Sequence, residues 1–111
     1  MTHSYFVSSS YAVKVDPVTK QETVYPLDEQ GMISAKAGDV LRFKHYITDA
    51  YIPVNELMIH AGAQDVKLTL NDNTRYAWTV QAGESMGISG MMVYTMTILN
   101  ACTFRYEGLA D

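Results

Sequence analysis

Charge is scarce in this sequence: only 18% of its 111 residues are Asp, Glu, Lys or Arg, against about 25% in an ordinary soluble domain. The eight basic residues, Lys14, Lys20, Lys36, Arg42, Lys44, Lys67, Arg75 and Arg105, are scattered and outnumbered by twelve acids. Gripping nucleic-acid phosphates needs clustered Lys and Arg, so nucleic acid is not an expected partner. Cysteine is nearly absent too. Cys102 stands alone, which excludes the intrachain disulfide that small secreted domains often carry. Residues 1–10 show neither the basic nor the apolar segment of a signal peptide. The longest apolar run, residues 91–99, is interrupted by threonines and is too short to cross a bilayer. These absences predict synthesis in a cytoplasm and no membrane partner. The last absence is a 3.6-residue apolar period, which no window sustains for the roughly 10–12 residues a helix needs.

What the chain does have is apolar content, 48%, and alternation with a period of two. At this length it is large enough to bury one core and too small for two. Tyr11, Val13 and Val15 share one strand face, and Pro17 ends that strand because it has no N–H to give. Short strands are expected at 21–25 and 31–36. Over 40–47, Leu41, Phe43, His45 and Ile47 alternate with Arg42, Lys44 and Tyr46. Over 56–61, Leu57, Ile59 and Ala61 alternate with Glu56, Met58 and His60. The strongest local signal is a hairpin, with Val66, Leu68 and Leu70 on one strand and Tyr76, Trp78 and Val80 on the next. Its turn, Asn71-Asp72-Asn73-Thr74, suits residues that tolerate left-handed φ. Ala37-Gly38-Asp39 and Ala82-Gly83-Glu84 each read as a turn ahead of a strand, and Gly87 and Gly90 as flanking a further hairpin. Strands over 85–88, 91–99 and 103–107 complete eight or nine. That count, at about ten-residue spacing, predicts an all-β fold: one antiparallel β-sandwich or jelly-roll-like domain over 1–111, with residues 1–10 as an N-terminal arm.

The segment 91–99 stands out because neither face is polar. Met92, Tyr94, Met96 and Ile98 oppose Val93, Thr95, Thr97 and Leu99. Either it is a central strand overlain by a loop, or one face meets another subunit, where Met and Tyr are enriched.

No constellation for chemistry emerges. Nucleophilic catalysis needs Ser or Cys beside a His with an acid behind it, and no nucleophile-elbow spacing occurs. Cys102 reads as a small buried hydrophobe. Of the three histidines, His3 is near the terminus, His45 lies on an apolar strand face, and His60 shares a face with Met58 and Glu56. Glu56 lies about 13 Å away in Cα separation, too far for direct contact. A blue-copper site needs a His and a Met soon after its Cys, and residues 103–111 contain neither. Acids that might pair for glycoside cleavage, such as Asp16, Asp28, Asp39, Asp65, Asp72 and Glu84, fall mostly in turns. No phosphate-cradling glycine loop is present. The reading is therefore no catalytic residues, no metal and no cofactor.

The C-terminal half has a recurrent cadence: 65–71 (Asp-Val-Lys-Leu-Thr-Leu-Asn), 80–85 (Val-Gln-Ala-Gly-Glu-Ser), 88–90, 97–101 (Thr-Ile-Leu-Asn-Ala) and 104–109 (Phe-Arg-Tyr-Glu-Gly-Leu). It resembles small β-sandwich virion proteins of tailed bacteriophages, such as capsid decoration (cement) proteins and fibre or baseplate modules. The resemblance implies a non-enzymatic assembly protein that binds and stabilises a capsid shell, located in the virion and acting as a homo-oligomer, with a trimer favoured. Met91, Met92, Tyr94 and Met96 are the expected subunit contact. The alternative is a carbohydrate-binding module, in which Tyr5, Tyr11, Tyr25, Tyr46 and Tyr51 would offer stacking platforms to a glycan, while Tyr76 and Trp78 follow the core alternation.

Overall fold

The computed structural model describes residues 5–6, 10–45 and 48–110, with side chains over 12–45 and 48–107. The described residues form eleven strands: β1 Tyr5–Phe6, β2 Ser10–Val15, β3 Glu22–Val24, β4 Ile33–Ala35, β5 Val40–His45, β6 Val54–Ala61, β7 Val66–Leu70, β8 Trp78–Val80, β9 Ser85–Val93, β10 Met96–Ile98 and β11 Cys102–Ala110. They make two antiparallel sheets packed as a β-sandwich. One runs β1-β11-β6-β9, with β4 also paired to β11; the other runs β3-β2-β5-β10-β7-β8. The count exceeds eight or nine because several strands are two or three residues long, too short to show alternation. Within the expected arm of residues 1–10, Tyr5 and Phe6 pair with Ala110 and Leu109. Tyr46 and Ile47, and the side chains of Tyr5 and Tyr11, lie outside the described residues.

Alternation decides which side chains meet. Along β6, Val54, Leu57, Ile59 and Ala61 are buried while Glu56 and Met58 are exposed. Leu41 and Phe43 of β5, Val66, Leu68 and Leu70 of β7, and Phe104 of β11 join the same core. Phe43 of one sheet meets Tyr106 of the other, ring centroids 4.7 Å apart and tilted by 56°, as the ring quadrupoles prefer. Burying one such side chain contributes about 1.5–3 kcal/mol, so this inner layer joins the sheets. On β2 the core residue is Ala12, opposite Phe43, whereas Val13 sits on the other face opposite Arg42. There Arg42 stacks 3.6 Å from the Tyr51 ring centroid.

The hairpin is present, with Val66 opposite Val80 and Leu68 opposite Trp78. Asn71 and Asp72 take φ of 53° and 59°, the left-handed values that suit these residues. Two expectations fail further on. Gly87 and Gly90 bound no hairpin: β9 runs through both, and Gly90 (φ 80°) lies where the register with β6 shifts. Residues 91–99 are not one strand. β9 ends at Val93 in the first sheet, and β10 starts at Met96 in the second.

Candidate functional site

The crossing at Tyr94-Thr95 resolves the two-sided apolar segment. Before it, Val93 points inward from one sheet; after it, Met96 and Ile98 point inward from the other. The parity of the buried face changes because the chain changes sheets. Asn71 holds the corner: its Oδ1 accepts from the N–H of Tyr94 (2.7 Å) and of Thr95 (3.3 Å), and its Nδ2 donates to the carbonyl of Met92 (2.7 Å). Of the four expected contact residues, Met91, Met92 and Tyr94 are therefore exposed, at 36%, 41% and 49%. Met96 is not. It is fully buried between Leu41 and Leu70 and belongs to the core, which corrects its expected place in an interface.

These exposed residues end an unusual edge. β9 terminates its sheet, with β6 on one side and no described strand on the other. Ala61 N–H donates to Glu84 C=O while the Glu84 N–H turns back to Gln81 C=O, and that one cross-strand bond places Ala61–Glu84 at a hydrogen-bonded position of the ladder. By ladder alternation, Met86 and Ile88 direct their backbone groups at β6, and Ser85, Gly87 and Ser89 direct theirs at the open edge. Proteins usually blunt such edges with short strands, charges or proline. β9 has nine residues, residues 85–104 carry neither a charge nor a proline, and the register shift at Gly90 interrupts the strand only beyond Ser89.

On the outer face of the same sheet lies a line of polar groups that the sequence did not disclose. His60 and Ser85 are cross-strand partners in a non-hydrogen-bonded pair, where side chains come closest. His60 Nδ1 is 2.5 Å from Ser85 Oγ, and His60 Nε2 is 2.6 Å from Glu107 Oε1. Glu107 sits diagonally, one two-residue step along β11 from Arg105, the direct partner of His60. Glu56, the only acid that spacing offered for His60, is not its partner here. A serine, an imidazole and a carboxylate in sequence are the parts of a nucleophilic triad. The line lies on the open face of a sheet. The edge-facing amides of Ser85 and Gly87 are about 7 Å apart, one strand repeat, too far to converge on one oxyanion.

The remaining features are local. Tyr76 (69% exposed) stands out to solvent because it lies in the connection ahead of β8, not on the strand expected to carry it, and Trp78 (37%) because β8 is the last strand of its sheet and covers the core only from the rim. Tyr25, read as a candidate for an exposed ring, is instead half-buried and donates its hydroxyl to Asp39 Oδ2 at 2.8 Å. Burial, and then that bond, raise its pKa. Tyr51 donates to Glu22, which also pairs with Lys44 at 2.9 Å; these two bonds hold the Glu22 carboxyl below its ordinary range. A groove of about 520 Å³ opens beside Tyr25, Leu27, Ile33 and Tyr106. Cys102 is buried, and desolvation, reinforced by Asp39, pushes its thiol from 9.0 up to about 11. A reactive cysteine needs the opposite shift. Set against known proteins, the chain matches no family model and no curated sequence.

Proposed function

We propose that this chain is a non-enzymatic assembly module, a virion component of the capsid-decoration kind that stabilises a shell and associates with copies of itself. The observation that carries the self-association is the uncharged stretch over 85–104, whose exposed part gathers Met91, Met92 and Tyr94 at the end of a nine-residue edge strand. Subunit contacts are depleted in charge and enriched in Met and Tyr. The virion setting rests on the sequence resemblance over 65–109. Light scattering coupled to size-exclusion chromatography, over a dilution series, tests the association. A defined oligomer is expected, with Tyr94→Asp lowering its mass while the melting temperature holds. A monomer at every concentration, or an oligomer indifferent to Tyr94→Asp, Met91→Asp and Met92→Asp alike, counts against this surface.

A second reading has its own observation. Tyr76 and Trp78 present exposed rings within three residues of each other, and flat aromatic faces are what a sugar-binding sandwich offers. Glycan-array binding abolished by Trp78→Ala, with no change in oligomer mass, would favour recognition of carbohydrate.

A further inference from the structure

We infer that the occupant of the β9 edge is β9 of a second copy, paired antiparallel across a two-fold axis at Gly87. The inference rests on the self-association proposed above and names its geometry.

Three features of β9 make it its own complement. First, the residues whose backbone groups face outward are Ser85, Gly87 and Ser89, as the ladder parity with β6 dictates. An antiparallel copy centred on Gly87 sets Gly87 opposite Gly87, and Ser85 opposite Ser89, each pair exchanging two N–H···O bonds. All six outward groups are then satisfied together. Second, the side chains permit the approach. On the outer face the facing residues are only Ser and Gly, and a Cβ at Gly87 would meet nothing nearer than the Met58 methyl at 3.5 Å. On the inner face Met86 meets Ile88 of the other copy. Ile88 is already buried and Met86 partly so, so the joined sheets continue one apolar layer. Third, no charge opposes the contact within β9.

The other sheet edges are poorer templates. β1, β3, β4 and β8 are two or three residues long, and β3 carries Glu22, already engaged with Lys44 and Tyr51. Beyond Ser89 the ladder with β6 shifts register at the left-handed Gly90 and resumes only at Val93. The paired segment therefore stops there, and Met91 and Met92 flank it against the partner's 81–84 turn. Closed two-fold pairing uses the same patch on both copies, so a finite dimer results rather than a fibre.

Cysteine cross-linking reads the register. Paired Cα atoms in this geometry are about 5.5 Å apart, inside the range of about 4.4–6.8 Å that a disulfide spans. The buried Cys102 supplies a non-crosslinking background. Gly87→Cys, mildly oxidised in its folded form, is expected to convert mostly to a disulfide dimer. Ser85→Cys and Ser89→Cys should each stay uncrosslinked alone, because like positions lie four residues out of register, and should join when mixed. That mixture also covers the case in which Gly87→Cys folds poorly. A dimeric mass with this pattern supports the inference. A trimer, or a dimer lacking the pattern, overturns β9 pairing and leaves the assembly reading standing. A monomer at all concentrations removes both β9 pairing and the self-association on which it rests.

Discussion

The side chain of Asn71 does for Tyr94 what a neighbouring strand would do: its Oδ1 accepts the Tyr94 N–H at 2.7 Å. The chain must leave one sheet after Val93 and enter the other at Met96, and in between it has no ladder of its own. Asn71 fills that gap from the β7–β8 turn, bonding Met92, Tyr94 and Thr95 at once while its own N–H reaches the Thr95 carbonyl at 2.9 Å. One carboxamide thereby fixes both the corner and the presentation of Met91, Met92 and Tyr94.

Replacing Asn71 should therefore be costly for a residue that is only half-buried. Asn71→Ala loses three side-chain bonds, each contributing about 1 kcal/mol net, and holds alanine at φ 53°, a further ~1 kcal/mol. Asn71→Gly escapes that last cost. Urea denaturation is expected to show a loss of about 3–4 kcal/mol for Ala and about 1 kcal/mol less for Gly. Amide exchange at Tyr94 and Thr95 should accelerate in both. An Asn71→Ala loss below about 0.5 kcal/mol would remove the clamp from the account.

That corner also marks where the sequence stopped being legible. Period-two alternation identified the inward residues of β5, β6 and β7, because each strand keeps one face to the core along its length. The left-handed turn at Asn71-Asp72 was readable because those residue types own that conformation. The break at Tyr94 was not, since its cause is a side chain more than twenty positions earlier, and so Met96 was assigned to a surface when it belongs to the core. Trp78 follows a core-like alternation yet stays 37% exposed, because exposure depends on β8 being an edge, a fact of sheet order. The His60–Ser85–Glu107 line needs the register of three strands. Only the proximity of Glu84-Ser85 to a turn, and a His on a polar strand face, hinted at it.

Alkaline pH should destabilise the fold from about pH 9 upward. Cys102 and Tyr25 are acids whose neutral forms are favoured by burial, with the thiol raised from 9.0 to about 11 and the phenol raised from 10.0. Between the unfolded and folded pKa values the native state holds more protons than the unfolded state, so stability falls as pH rises. The Cys102 rise alone corresponds to about 2–3 kcal/mol once the pH passes about 11. Urea midpoints taken from about pH 8 to 11 should decline, and Cys102→Ala should flatten the first part of that decline. A thiol reagent at neutral pH should react with Cys102 only after unfolding. Rapid labelling of the native protein, or midpoints that hold to pH 11, would contradict the buried neutral thiol.

Ser85 is the sharpest test of whether this surface does chemistry. Its Oγ contacts His60 Nδ1, and Glu107 holds the other ring nitrogen, so the proton path of an acyl transfer exists on paper. Beyond the general base, a serine nucleophile depends on donors that converge on the developing oxyanion, usually the largest single contribution. Along β9 the edge-facing amides are spaced a full strand repeat apart, and in the paired dimer they are consumed by the partner strand. Diisopropyl fluorophosphate is therefore expected to leave the protein mass unchanged, in the native protein and in His60→Gln alike. The three residues then act as an exposed cross-strand cluster, each pair contributing about 0.2–1 kcal/mol. A stoichiometric adduct on Ser85 that disappears in His60→Gln would reverse the conclusion: the outer face of this sheet would be an acyl-transfer site, and the edge of β9 would have to stay open for substrate.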